Sequence, residues 1–129
     1  MPYEICFQRR FKVPNPSIYI NDCCWGGDIV VERLLPTIRF IYQDVQSNQE
    51  DWGWFIWFRR GAVHFAIDVF TDLPKKGAFR IHITARRKRW LFFDSMIDGP
   101  ELEAVMALVL SNLEDWSKSP VKVAHLDAR

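Results

Sequence analysis

Residues 52–70 read WGWFIWFRRGAVHFAIDVF, and residues 79–86 read FRIHITAR. From Ala62 onward the first stretch alternates strictly: Val63, Phe65, Ile67 and Val69 fall on one side, and Ala62, His64, Ala66 and Asp68 on the other. A period of two marks a β-strand, whose successive side chains leave on opposite faces. Arg60-Gly61 reads as a two-residue hairpin turn, with glycine supplying a positive φ at little steric cost. That turn sets Phe58 opposite Val63, Ile56 opposite Phe65, Trp54 opposite Ile67 and Trp52 opposite Val69, all on a core face. Trp57 then lies opposite His64, Phe55 opposite Ala66 and Gly53 opposite Asp68 on the reverse, so that large side chains meet small ones.

The next strand, Phe79 to Arg86, sends Phe79, Ile81, Ile83 and Ala85 to the core face and Arg80, His82, Thr84 and Arg86 outward. A tight turn at Arg87-Lys88 puts Trp90 and Phe92 on the core face and Leu91 and Phe93 on the reverse. Between the middle strands, residues 71–77 are rich in turn formers, and Pro74 ends any ladder there.

Helical spacing appears on both sides of this meander. From Ile29 to about Val45, the residues Val31, Leu34, Leu35, Ile38, Ile41, Tyr42 and Val45 form one apolar stripe, and Pro36 inside it predicts a kink or a late start. After Asp98, with Glu101 three residues on in capping-box spacing and Pro100 suited to the first turn, Leu102, Val105, Met106, Val109, Leu113 and Trp116 form a second stripe ending near Ser117. Glu4 to Val13 is a possible N-terminal strand. The expected fold is α+β: a four-stranded antiparallel meander over about 52–95, preceded by one helix and followed by another, both on one face. Residues 1–117 make a single domain and 118–129 a C-terminal tail.

The reverse face of such a sheet carries Phe55, Trp57, Leu91 and Phe93. Covering a few hundred Å² of it is worth on the order of 5–10 kcal/mol at about 25 cal/mol per Å². Three covers are open to it: the N-terminal segment with Phe7 and Phe11, a second copy of the chain, or another molecule. The net charge of +1 hides a segregation, because nine Arg and Lys stand against two Asp between Trp57 and Trp90. The first and third turns of a meander lie at the same end of the sheet. Arg59, Arg60, Arg86, Arg87, Lys88 and Arg89 should therefore converge into a basic rim, which either discourages edge aggregation or attracts an anionic partner.

Motifs that carry chemistry are sparse. His64 and His82 project from the reverse face with Asp68 and Arg80 nearby, and an Asp68–Arg80 ion pair accounts for the carboxylate. Asp22-Cys23-Cys24-Trp25-Gly26-Gly27-Asp28 reads as a glycine turn with an Asp28 cap and buried thiols. Phosphate-binding, dinucleotide, nucleophile-elbow and zinc-helix patterns are absent, so no cofactor, metal or catalytic set is expected. Three cysteines and the want of an apolar run of spanning length suggest a cytoplasmic protein without membrane contact.

The reading that follows is a non-enzymatic protein-interaction module, of which small bacterial immunity or antitoxin-type proteins are one example. Its contact surface is expected at Phe55, Trp57, Arg59, His64, His82, Arg86, Arg89 and Phe93, toward another protein or a second copy. Single-stranded nucleic-acid binding is the alternative, since sheet aromatics beside arginines can stack bases. A small-ligand or enzymatic domain using His64, His82 and Asp68, or Cys24, is the third.

Overall fold

The computed structural model describes residues 3–13, 15–89, 93–117 and 120–126, and of residues 88–89 and 93–94 the backbone alone. Trp90, Leu91 and Phe92 lie outside the described residues, so their expected faces are not assigned. In chain order the elements are β1 (Tyr3–Gln8), α1 (Gly27–Ile41), β2 (Gln43–Glu50), β3 (Gly53–Arg60), β4 (Val63–Leu73), β5 (Ala78–Arg89), β6 (Phe93–Met96), α2 (Pro100–Glu114) and β7 (Lys122–His125). The strands form one antiparallel sheet in the order β2-β3-β4-β5-β1-β7. The long β5 pairs with β1 along its first half and with β6 at its end.

The α+β class stands, but the sheet is larger than the expected meander: seven strands among the described residues instead of four. Two of the additional strands were illegible for physical reasons, and the third, β1, was read without its partner. β2 occupies Gln43–Glu50, where the helical stripe was read as running on to Val45. Apart from Val45 its side chains are polar, as suits a sheet edge with water on both sides, so no alternation betrays it. β7 lies in the supposed tail; all four of its residues are exposed, so burial leaves no pattern in its sequence. β1 was located correctly near Glu4, but its partner, β5, is some seventy residues away.

The β3–β4 hairpin turns at Gly61-Ala62, not Arg60-Gly61. Arg60 pairs with Val63, Phe58 with Phe65, Ile56 with Ile67 and Trp54 with Val69. Gly61 has φ 60° in the first central position and Ala62 keeps a negative φ, which is the II′ arrangement matched to strand twist. The two-residue shift changes every partner but no face. Ile56, Ile67, Val69, Ile81 and Ile83 are fully buried on the helix side, against Val30, Leu34 and Ile38 of α1 and Leu102, Val105, Val109 and Leu113 of α2. Trp52 departs from expectation. It sits in the β2–β3 turn, 37% exposed, with its ring against Phe55 and Phe70 on the opposite face.

The N-terminal segment does not cross the open face. Phe7 is buried on the helix side, stacked on Phe79 at 5.3 Å, and Phe11 reaches Phe79 and Trp116 there. Both helix starts also differ from the cap readings. Gly26 precedes α1 at φ 76°, while Asp28 accepts a hydrogen bond from the Tyr19 hydroxyl at 2.6 Å. Gly99 precedes α2 without a side-chain cap; Asp98 instead bonds His125 at 2.8 Å and Glu101 pairs with Arg87 at 3.2 Å. β5 runs through the predicted Arg87-Lys88 turn to Arg89, which pairs with Phe93.

Gly77, at φ 63°, closes the connection from β4 to β5, and its carbonyl accepts the Arg9 N–H at 2.8 Å. A Cβ there would stand 2.1 Å from the Arg9 carbonyl oxygen, whereas one on Gly61 would meet nothing within 4 Å. Gly77→Ala should therefore cost about 2–4 kcal/mol, strain and collision together, against about 1 kcal/mol for Gly61→Ala. Denaturant unfolding of the two variants beside the parent checks the difference, and equal losses would contradict it.

Candidate functional site

The helix-free face is ordered in rows that cross the strands. One row runs Asn48, Phe55, Asp68, His82, Glu4; the next, Gln46, Trp57, Ala66, Thr84; a third, Arg59, His64, Arg86, Met96. Phe70, Arg80 and Cys6 form a fourth on the other side of Asp68. Phe55 and Trp57 stack on each other at 4.4 Å and 17°. Trp52 touches Phe55 at 5.7 Å and Phe70 at 5.6 Å, and Phe70 meets the His82 ring edge-on at 5.2 Å. The result is a continuous aromatic ladder, half-buried at Phe55, Trp57 and Phe70, with the small side chains of Ala66 and Thr84 beside it.

The predicted residues fall into two groups. Phe55, Trp57 and His82 belong to or adjoin the ladder, while Arg59, His64 and Arg86 make the row at its end. His64 and His82 are two rows apart, so they do not act together. The side chains of Arg89 and Phe93 are outside the described residues. In backbone register the pair shares the parity of Ala85 and Arg87, not that of Arg86. Trp52, Phe70, Glu4 and Cys6 were missed. Phe70 follows the alternation of residues 62–69 by one further step, whereas Glu4 and Cys6 needed the pairing of β1 with β5 to be known.

Charges on this face are mostly matched. Arg59 bonds Asp44 and Gln43. Arg80 does not pair with Asp68: its guanidinium lies 4.5 Å from the Phe70 ring and bonds Asp72 at 3.2 and 3.3 Å. It stands one row along from Asp68, which puts Asp72 within its reach instead. His82 bonds Glu4 at 2.9 Å. Asp68, between Phe55 and His82, takes no hydrogen bond among the described residues. Burial raises its carboxyl above the ordinary range, and His82 offsets this in part. No group of His, Cys, Asp and Glu among the described residues is arranged to hold a metal.

Cys24 is buried and its thiol meets the Glu50 carbonyl at 2.9 Å. Burial pushes its pKa up, against activation as a nucleophile. No described helix is long and apolar enough to cross a membrane.

No known family matches the chain, and no solved structure matches it. Among curated proteins it is similar to an aldehyde-alcohol dehydrogenase of Clostridium acetobutylicum, 32% identical over 75 residues. The match covers 54% of this chain and 9% of that enzyme.

Because the folded state raises the pKa of Asp68, the stability of the fold is greatest, as far as this group decides it, with the carboxyl protonated and falls as pH rises through the folded value. Asp68→Asn should therefore unfold at higher denaturant than the parent at neutral pH. The gain should shrink as pH drops below the ordinary carboxylate range. Urea midpoints across that range check it, and a variant less stable at neutral pH would contradict it.

Proposed function

We propose that this protein is a non-enzymatic protein-interaction module whose working surface is the open sheet face, engaging another protein or a second copy of the chain. The observation that carries the reading is the ladder Trp57–Phe55–Trp52–Phe70, which neither helix nor the N-terminal segment covers. Aromatic side chains of this size are the usual anchors of a protein interface, and their desolvation supplies its energy. Arg59, His64 and Arg86 then form a polar rim. Three unpaired cysteines accord with a cytoplasmic setting.

Two features favour a protein partner over single-stranded nucleic acid. Phe55 and Trp57 spend their ring faces on each other, which leaves less flat surface for bases. The arginines of this face are also largely neutralised, Arg59 by Asp44 and Arg80 by Asp72. A phosphate backbone needs free cations.

Solution mass as a function of concentration separates self-association from a monomer that takes another chain. In either case Trp57→Ala should weaken association roughly thirtyfold or more, a hot-spot loss of about 2 kcal/mol, with the circular dichroism unchanged. Affinity should change little between low and moderate salt. Association indifferent to Trp57 overturns the reading, and a steep loss with salt transfers the surface to nucleic acid.

A further inference from the structure

On the helix side, at the end of the sheet where β3 turns into β4, a cleft of about 470 Å³ opens between the end of α1, the β3–β4 hairpin and the start of α2. Strand parity separates it from the open face: Arg59 and Arg86 go one way, Arg60 and Arg87 the other. Arg60 and Arg87 flank Val63 across three adjacent strands, about 10 Å apart at the backbone. Val63 and Phe65 make the apolar floor.

Tyr42 forms one wall. Its ring packs on Phe58 at 4.8 Å and Phe65 at 5.4 Å, and the residue is 9% exposed. Its hydroxyl has no hydrogen-bond partner among the described residues, and the Arg60 guanidinium acts on it electrostatically. Burial raises its pKa, so it remains a neutral donor. The ring is buried but the hydroxyl is not, so the phenol is open to the cleft and able to donate to whatever occupies it. Arg60 likewise has no carboxylate among the described residues, while Arg87 is held by Glu101. The mouth also receives the start of α2, which no side chain caps. Two arginines and one glutamate leave a single net positive charge, which matches a monoanion.

We propose that this cleft binds a small organic carboxylate, its charged group between the Tyr42 hydroxyl and Arg60 and its apolar body on Val63 and Phe65. The carboxylate accepts one hydrogen bond from the phenol and one or two from the guanidinium fork, a geometry that arginine favours. Glu101, which also lines the cleft, pairs with Arg87 and leaves Arg60 as the arginine without an acid among the described residues.

Titration with benzoate, followed by heteronuclear NMR on the intact chain, tests the assignment. Saturable shifts are expected at Tyr42, Arg60 and Val63, with the neutral benzyl alcohol bound at least tenfold more weakly. Arg60→Gln, at an exposed position, should weaken benzoate about tenfold or more, and Tyr42→Phe, which keeps the ring packing, severalfold. Absence of saturable shifts at those residues overturns the proposal. Equal binding of benzyl alcohol, or an unaffected Arg60→Gln, reduces the cleft to an apolar crevice and overturns it as well. Tighter binding of phenyl phosphate than of benzoate would overturn the monoanion assignment.

Discussion

The parity of the β3–β4 hairpin is the constraint on which the rest of the structure depends. Gly61 takes a left-handed backbone in the first turn position, and from that point each side chain of the two strands is committed to one face. A shift by two residues exchanges neighbours; a shift by one would bury Trp57, Phe55 and Asp68 beneath the helices and expose Phe58, Phe65 and Ile67. The buried apolar odd positions Val63, Phe65, Ile67 and Val69 of β4 and Phe79, Ile81, Ile83 and Ala85 of β5 forbid the second shift. The same alternation that builds the core therefore builds the aromatic ladder on the other side, and it divides the arginines at the end of the sheet between two unlike environments.

This division explains how one short stretch of chain serves two surfaces. On the open face, Arg59 and Arg80 are tied to acids and Arg80 lies over the Phe70 ring, a setting for shape-dependent contact. On the helix side, Arg60 stands over an apolar floor beside the Tyr42 phenol, a setting for a compact charged group. Arg59 and Arg60 are adjacent in sequence, and strand alternation alone parts them.

Much of the central sheet was legible because its signal is local. The faces of Val63 to Val69 and Phe79 to Ala85 follow from alternation alone, and the α2 stripe from helical spacing. The turn was misplaced because glycine was put second in it, whereas a lone glycine fits the first position of the II′ geometry. What stayed hidden depends on distant partners or on water. β2 and β7 bury too little to pattern their sequences, and the Glu4–His82 contact joins residues that only the finished sheet brings together. At the site, Trp57 and Phe55 were evident. Trp52 was assigned to the wrong face because it belongs to a turn, where strand parity no longer governs the side chain.

The pairing of β1 with both β5 and β7 has a bearing on how the molecule assembles. Tyr3 lies opposite Ile83 on one side and His125 on the other, so this strand is bonded to two that come much later in the sequence. Emerging from the ribosome, it has no neighbour until β5 is out, while the hairpins between β2 and β5 close over short loops. The helix-side aromatics Phe7 and Phe11 lack their Phe79 contact for that interval, so apolar surface near this strand stays exposed until the sheet is complete.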